Sequence, residues 1–245
     1  MPIKVAAIIC AAGASTRFGG ARKKPFVDVE GRAAFLRSVE LFADNSDVKQ
    51  IILAISKEDD EIVKIKWGAN LSFHGVKLCY GGAERYETVA NALKLIREDI
   101  DIIAIHDGAR PCLTKEWLEA VIKEATRTEA AILAAPVVAT LKKVENKTIT
   151  GTVDRTNVYE AQTPQVFSAA LLRKAYANLE NLDKKKISDD AQLVEALGHK
   201  VSIVETDSSN IKITTKSDVA IAEAIIRSRP KPKLGYANPF EEAQW

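Results

Sequence analysis

Short apolar runs rich in Ile, Val and Ala recur along this chain and alternate with longer amphipathic patterns. Such runs are typical of strands buried on both faces of a parallel sheet; they cover Val5–Cys10, Gln50–Ile55, Ile102–Ile105, Ala131–Val138 and Val201–Val204. Helical periodicity covers Ala33–Ala43, Tyr86–Arg97, Lys115–Arg127, Ala169–Leu179, Asp190–Leu197 and Ser217–Arg227. The alternation predicts an α/β fold, with a mostly parallel Rossmann-like sheet and helices on both faces. Ligands of such sheets bind at strand carboxyl ends, so we expect chemistry in the loops after the first and third runs.

One stretch breaks the alternation and predicts a projecting β-arm. Residues 141–159 are rich in β-branched side chains, with Glu145-Asn146-Lys147 and Gly151 as turn signals, which indicates a hairpin. The residues after Arg229 contain prolines and show no helical period. We therefore expect a single domain over 1–229, with the arm at about 141–159, and an extended or partly disordered tail over 230–245.

Composition narrows the classes of partner. The 245 residues carry a formal net charge of +2, so no global basic field favours nucleic acid as a partner. The three cysteines lie far apart without metal-site spacing, which favours reduced thiols in a cytoplasmic protein. The N-terminal apolar run is too short to span a membrane. It leads directly into a basic, glycine-containing loop, which favours a first strand over a signal peptide.

The loop after the first run is suited to binding phosphate. It reads Ala11-Ala12-Gly13-Ala14-Ser15-Thr16-Arg17, and small residues of this kind let backbone N–H groups approach a ligand closely. Four cations, Arg17, Arg22, Lys23 and Lys24, stand within eight residues and could compensate a triphosphate. The loop matches neither the dinucleotide fingerprint nor a Walker loop. An ordinary surface turn with solvated lysines remains the alternative at this point.

The loop after the third run reads Ile105-His106-Asp107-Gly108-Ala109-Arg110-Pro111. A carboxylate at a strand end beside a small-residue turn can hold Mg²⁺, so Asp107 is a candidate metal ligand. A turn or helix cap is the commoner role for such an aspartate, and His106 is more typical of a structural histidine. Arg110 could equally be a structural ion-pair partner.

Taken together, these segments resemble the 2-C-methyl-D-erythritol 4-phosphate cytidylyltransferase family of the non-mevalonate isoprenoid pathway. The resemblance runs in order to about Arg227 through nine segments: AAGASTR (11–17), KKPF (23–26), GGAERYETV (81–89), HDGARP (106–111), TLKKV (140–144), TVDR (152–155), QTPQVF (162–167), SDDA (188–191) and NIKIT (210–214). It implies a nucleotidyltransferase fold of the glycosyltransferase-A-like kind. It also implies transfer of CMP from CTP to the sugar-alcohol phosphate, with Mg²⁺ or another hard divalent cation as cofactor.

The resemblance also implies a role for each matching residue. The catalytic set would be Arg17, Lys24, Asp107 and Lys212, with Asp107 as metal ligand. The nucleotide would be bound by Ala11, Ala12, Gly13, Ala14, Gly82, Ala83, Arg85, Thr88 and Gly108. The acceptor phosphate would be bound by Thr140, Arg155, Thr163, Asp189 and Lys212. A homodimer is implied as well, with interlocking arms and Arg155 completing the partner's acceptor site; the alternative is an arm that folds back on its own subunit.

The chain departs from the family pattern at three places. Ala139 stands where an Asp commonly precedes the Thr of the TLK segment, Lys23-Lys24-Pro25 replaces the usual Pro-Lys-Gln, and Ala83 replaces a polar residue. Ala139 keeps a ribitol- or other alditol-phosphate cytidylyltransferase open as an alternative. A non-catalytic nucleotide-binding protein on the same fold is a third possibility, although that class should have lost a phosphate-neutralising cation.

Overall fold

A computed structural model describes residues 2–13, 18 and 23–230. The strands are β1 Val5–Cys10, β2 Asp28–Val29, β3 Arg32–Ala33, β4 Val48–Ile55, β5 Lys77–Tyr80, β6 Ile102–Asp107, β7 Ala130–Pro136, β8 Lys142–Glu145, β9 Thr148–Thr152, β10 Tyr159–Ser168 and β11 Ser202–Glu205. The α-helices are α1 Ala34–Ala43, α2 Asp60–Phe73, α3 Arg85–Leu93, α4 Lys115–Thr128, α5 Ala169–Ala177, α6 Ala191–Glu195 and α7 Ser217–Ser228. Of the tail expected over 230–245, residues 231–245 lie outside the described part.

Seven strands form the central sheet in the order β11-β7-β10-β6-β1-β4-β5. All neighbouring pairs are parallel except those of β10, which runs antiparallel to both β6 and β7. Strand β1 lies between β4 and β6, with Cys10 opposite both Ala54 and Asp107. The carboxyl ends of these three strands therefore meet at one edge of the sheet, and the predicted mostly parallel α/β fold is confirmed.

Both faces of the sheet are covered by helices. Along β1, Val5, Ala7 and Ile9 belong to a core cluster that includes side chains of α1, α2 and α4. Ala6 and Ile8 point to the opposite face and pack in a second cluster with side chains of α3, α5 and α6. Because every second residue enters a different core, the strand has no polar face, which explains its continuous apolar sequence.

Strands β8 and β9 form the hairpin that the sequence predicts, separate from the central sheet. Its turn places Asn146 and Lys147 at positive φ values of 48° and 64°, as a tight hairpin turn requires. Val144 and Ile149 are 55% and 62% exposed, so the hairpin presents apolar side chains to solvent. The predicted limits were too wide, because Tyr159 already belongs to β10 of the central sheet.

Three elements of the layered domain escaped the sequence analysis. Helix α2 was missed because its amphipathic pattern is weak, with Ile62, Ile65 and Phe73 all exposed. Strand β5 has only four residues, of which Cys79 alone is buried. Strand β10 was missed because polar residues and a proline interrupt it at 162–165. The predicted helix over Tyr86–Arg97 also ends earlier, at Leu93.

Within the described residues, no helix combines the length and the apolar character needed to cross a membrane.

Candidate active site

A cavity of about 610 Å³ opens where the carboxyl ends of β1, β4, β5 and β6 meet. Parallel α/β sheets bind their ligands at this edge. Nine of the residues predicted to form the site line this cavity: Ala12, Gly13, Lys24, Gly82, Ala83, Arg85, Thr88, Asp107 and Lys212. The cavity also contains side chains that the sequence analysis did not assign, among them Cys10, Ser56 and Glu58.

Two small-residue loops form one wall of the cavity. The loop after β1 begins at Ala11, whose N–H donates to the Ala54 carbonyl, and the loop after β5 begins at Gly81. A Cβ atom added at Gly81 would lie 2.3 Å from the Cβ of Ala12, so the loops are in direct contact. The Thr88 hydroxyl accepts a hydrogen bond from the Gly82 N–H at 3.2 Å and so fixes the second loop. These contacts hold the backbone of the two loops in place at Ala11 and Ala12 and at Gly81 and Gly82.

We predict that Gly81→Ala destabilises the ligand-free protein by about 1–3 kcal/mol, because the added methyl overpacks the contact with Ala12. Gly13→Ala is the matched control for stability, since among the described residues no atom other than those of its chain neighbours lies within 4 Å of a Cβ at that position. Thermal unfolding of both variants tests this. Equal melting temperatures for the two would contradict the tight contact between the loops.

The two adjacent lysines of the KKPF segment have different environments. Lys23 donates to the Asp59 carboxylate and to the Ser56 hydroxyl, each at 2.8 Å, so it ties the loop to the end of β4. Lys24 starts a 3₁₀ turn, Lys24–Phe26, and lines the cavity. Phe26 anchors that turn by packing against Phe35 and Trp67. The fold thus holds the backbone of Lys24 in place at the rim of the cavity.

Asp107 ends β6 and lies among three cations. Lys212 Nζ is 2.6 Å from one carboxylate oxygen, while Arg85 Nε and Arg110 Nε lie at 3.5 and 3.8 Å. Burial by itself would raise the pKa of the Asp107 carboxyl, but the nearby charges of Lys212, Arg85 and Arg110 outweigh burial and lower the pKa well below its usual range. Asp107 is therefore ionised throughout the neutral pH range.

Lys212 lies in a segment without regular secondary structure that is held by hydrogen bonds. The Ile213 N–H donates to the Ala109 carbonyl at 2.8 Å, and Arg110 Nη1 donates to the Asn210 carbonyl at 2.7 Å. Asn210 is completely buried. These contacts explain why the NIKIT segment, over a hundred positions from Asp107 in sequence, delivers its lysine to the same carboxylate.

His106 and Thr163 lie behind Asp107 and support it. The Thr163 hydroxyl accepts from the Asp107 N–H at 3.0 Å and lies 3.1 Å from His106 Nδ1. Burial lowers the pKa of His106 to about 4, so the imidazole is neutral at pH 7 and is structural, as the sequence analysis favoured. Thr163 was expected to bind the acceptor, but in the ligand-free chain its hydroxyl is engaged with the Asp107 backbone.

Several predicted site residues lie elsewhere. Ala14 and Arg17 fall outside the described residues. Among those that are described, Ala11 and Gly108 are buried and do not line the cavity, and Asp189 accepts a hydrogen bond from Gln165 at 2.8 Å. Thr140 and Arg155 are exposed near the arm, where Arg155 donates to the Val138 carbonyl. Neither Thr140 nor Arg155 lines the cavity of its own chain.

The donor set suits a metal ion that binds mainly through substrate. The described residues contain no group of three or more acidic, histidine or cysteine side chains that could enclose a metal ion. Mg²⁺ usually uses one or two carboxylates and completes its coordination with substrate phosphates and water, so the strand-end carboxylate of Asp107, in a cavity that Glu58 and Glu84 also line, fits it. Cys10 also lines the cavity, but burial raises the pKa of its thiol to about 12, which makes it a poor nucleophile.

An α/β sheet with small-residue loops, lysines and the Asp107 carboxylate at its strand ends is typical of enzymes of the nucleotidyltransferase class. The family model described as IspD, 2-C-methyl-D-erythritol 4-phosphate cytidylyltransferase, matches residues 5–228. The chain therefore belongs to this family, as its sequence segments indicated.

Individual relatives agree with this assignment. The chain is 40% identical to the 2-C-methyl-D-erythritol 4-phosphate cytidylyltransferase of Endomicrobium trichonymphae over 92% of its own length and 100% of that protein. The Rhodopirellula baltica protein of the same name is 39% identical over 91% of this chain and 94% of its own. Among solved structures, the 4-diphosphocytidyl-2C-methyl-D-erythritol synthase of Anaerococcus prevotii superposes with a TM-score of 0.79 at 29% identity, covering 92% and 97% of the two chains. The Thermus thermophilus cytidylyltransferase gives a TM-score of 0.75 at 32% identity, covering 92% and 100%.

Proposed function

We propose that this chain transfers CMP from CTP to 2-C-methyl-D-erythritol 4-phosphate, giving 4-diphosphocytidyl-2-C-methyl-D-erythritol and pyrophosphate. The observation that carries the proposal is the cavity itself. It brings small residues of two loops, Lys24, Asp107 and Lys212 to one edge of the sheet, in a chain of the cytidylyltransferase family. Backbone groups suit a flat base, and the charged groups suit a triphosphate and a metal ion.

In the proposed complex, the backbone around Ala12, Gly82 and Ala83 reads the edge of cytosine. Ala83 has no polar side chain, so any contact with the base at that position is made by its backbone. The two loops touch at Ala12 and Gly81, and we propose that the base binds beside this contact in a pocket that favours a pyrimidine over the larger purines. We propose the same role, contact with the cytosine edge, for the backbone of Ala14.

The chemical step is an in-line displacement that needs no general base. An oxygen of the acceptor phosphate attacks the α-phosphorus of CTP, a new P–O bond forms, and the bond to the β-phosphate oxygen breaks. The electron pair leaves with pyrophosphate. A phosphate monoester oxygen is already deprotonated near neutral pH, and His106 is buried and neutral. We assign to Lys24 and Arg17 the neutralisation of charge on the triphosphate, so catalysis rests on positioning and charge compensation.

Mg²⁺ would be held by Asp107 and by phosphate oxygens of CTP, where it would supply further charge neutralisation at the α-phosphate. Lys212 contacts the Asp107 carboxylate at 2.6 Å, and we assign to its ammonium group the binding of acceptor phosphate beside that carboxylate. Thr163 then fixes the backbone of Asp107 from behind. In this scheme Asp189 lies away from the reacting groups, because its carboxylate is hydrogen-bonded to Gln165.

We also propose that the enzyme works as a homodimer whose arms interlock. Val138, Val144 and Ile149 are 77%, 55% and 62% exposed, which leaves an apolar surface for a second copy to cover. An isolated two-stranded hairpin is only marginally stable in water, so contact with a partner would stabilise the arm. In the dimer, Arg155 and Thr140 would complete the acceptor site of the other subunit.

The proposal predicts that the enzyme is specific for CTP and for 2-C-methyl-D-erythritol 4-phosphate. Pyrophosphate release should be fast only when CTP, Mg²⁺ and 2-C-methyl-D-erythritol 4-phosphate are all present, and excess chelator should abolish it. ATP should replace CTP poorly, because in the proposed complex the backbone around Ala12, Gly82 and Ala83 reads the edge of cytosine. A coupled assay of pyrophosphate with each nucleotide and acceptor tests this. Faster turnover with ribitol 5-phosphate would favour the alditol-phosphate alternative that Ala139 leaves open, and no turnover with any acceptor would favour a binding protein.

A further inference from the structure

The SDDA segment supplies two adjacent carboxylates with different roles. Asp190 is 1% exposed and accepts two strong hydrogen bonds, from Arg85 Nη1 at 2.5 Å and from the Tyr176 hydroxyl at 2.6 Å. Its own N–H donates to Gln165 Oε1 at 3.0 Å. Asp189 instead accepts from Gln165 Nε2 and does not contact Arg85. Only Asp190 therefore connects the start of α6 to the cavity.

Arg85 is held firmly on the side away from the cavity and loosely on the cavity side. Its Nη1 contacts Asp190 at 2.5 Å, whereas its Nε lies 3.5 Å from the nearer oxygen of Asp107. The Nη2 atom is buried and has no hydrogen-bond partner among the described residues. The guanidinium thus lies between two carboxylates. It makes its closer contact with Asp190, which does not line the cavity.

We propose that Asp190 is a positioning residue: it holds the Arg85 guanidinium back, so that Arg85 does not add a second close ion pair to the one that Lys212 makes with Asp107, and a divalent cation can reach that carboxylate. This inference rests on the proposed function, because it assumes that Asp107 contacts the metal. A guanidinium that gave up Asp190 would meet Asp107 as the remaining carboxylate next to it. A bidentate Arg–carboxylate pair would then compete with the cation for the same oxygens.

A purely structural role for Asp190 makes a different prediction. Removing one partner of a buried ion pair destabilises the fold whatever the site does, so stability alone cannot distinguish the two roles. The positioning role predicts that metal binding is weakened because the Arg85 side chain is released from Asp190. Removing that arginine as well should then restore metal binding, whereas a structural defect would persist or grow.

The experiment measures how much a metal ion strengthens binding of CTP. Dissociation constants for CTP, without acceptor, are measured by equilibrium dialysis in excess chelator and in saturating Mn²⁺, and their ratio gives the metal contribution. Asp107→Asn gives the ratio expected when the metal ligand is lost. Asp190→Asn should lower the wild-type ratio about tenfold or more, as substitution of groups that orient metal ligands commonly does. Asp189→Asn, which removes the neighbouring carboxylate but no contact with Arg85, should keep the wild-type ratio.

The double variant Arg85→Gln/Asp190→Asn decides the mechanism. Recovery of most of the wild-type ratio supports the release of Arg85; a ratio as low as that of Asp190→Asn, or an unchanged ratio in Asp190→Asn itself, overturns the proposal. If Asp190→Asn does not fold, Tyr176→Phe is measured instead, because it removes the other hydrogen bond to Asp190. We expect its ratio to be several-fold lower than that of the wild type, and an unchanged ratio would contradict the proposal. The proposal is also overturned if Mn²⁺ does not change the dissociation constant of the wild-type enzyme for CTP. Because no acceptor is used, failure of CMP transfer is detected separately, in the pyrophosphate assay.

Discussion

Replacing Lys24 by alanine should lower kcat/KM for CTP by about two to three orders of magnitude while leaving the fold intact, as expected for the loss of one preorganised charge at the reacting phosphates. The 3₁₀ turn that begins at Lys24 is anchored by Phe26, which is buried and packs against Phe35. A half-exposed ammonium group that faces a ligand contributes little to folding. Steady-state pyrophosphate release and thermal unfolding measure the two effects independently.

Lys23→Ala provides a matched control at the neighbouring position. Its ammonium group is bound to Asp59 and Ser56, so this substitution should lower the melting temperature more than Lys24→Ala does. Its effect on turnover should be the smaller of the two. Near wild-type kcat/KM in Lys24→Ala, or a larger loss of kcat/KM in Lys23→Ala, would show that the charges of this segment have been assigned to the wrong lysine.

Mixing two inactive variants should restore activity if the arms complete each other's sites. Lys24 lines the cavity of its own chain, whereas Arg155 is exposed beside the arm and contacts the Val138 carbonyl. Lys24→Ala and Arg155→Ala homodimers should therefore each have little activity. In a mixed dimer, one site contains both substitutions and the other contains neither. Random pairing makes half of the dimers mixed, so activity should recover to about a quarter of wild type when the sites are independent.

The design includes its own controls. Mixed dimers are verified with two affinity tags, and Lys24→Ala mixed with wild type reports any effect of subunit exchange alone. If verified mixed dimers stay as inactive as their parents, Arg155 acts within its own chain. If the wild-type enzyme is monomeric at assay concentration and fully active, the shared site is wrong even though CMP transfer could still hold.

The framework of the sheet could be predicted because its strands are buried on both faces. Val5–Cys10 has no polar position, so its sequence carries an unambiguous signal. Asp107 was found for a related reason, since a carboxylate directly after such a run must lie at the carboxyl edge of the sheet. Strand β10 gave no such signal, because buried Gln162, Thr163 and Gln165 satisfy its polar groups through partners distant in sequence.

The roles of adjacent like residues could not be predicted from sequence. Lys23 and Lys24 are chemically identical, and the sequence does not show that Lys23 is the one that pairs with Asp59 after β4. Asp189 and Asp190 pose the same problem, because α6 turns one carboxylate toward Gln165 and the other toward Arg85. The family resemblance pointed to the SDDA segment, but assigning its carboxylates required the tertiary contacts.

An oxygen label in the acceptor tests CMP transfer most directly. The phosphate of 2-C-methyl-D-erythritol 4-phosphate is enriched in ¹⁸O and incubated with CTP, Mg²⁺ and enzyme, and the products are followed by ³¹P NMR and mass spectrometry. Attack by the acceptor phosphate on the α-phosphorus predicts that all label stays in the diphosphocytidyl product, with part of it in the bridge between the two phosphorus atoms. The released pyrophosphate should contain none. Pyrophosphate formed without a labelled diphosphate product, or label found in pyrophosphate, would contradict the proposed reaction.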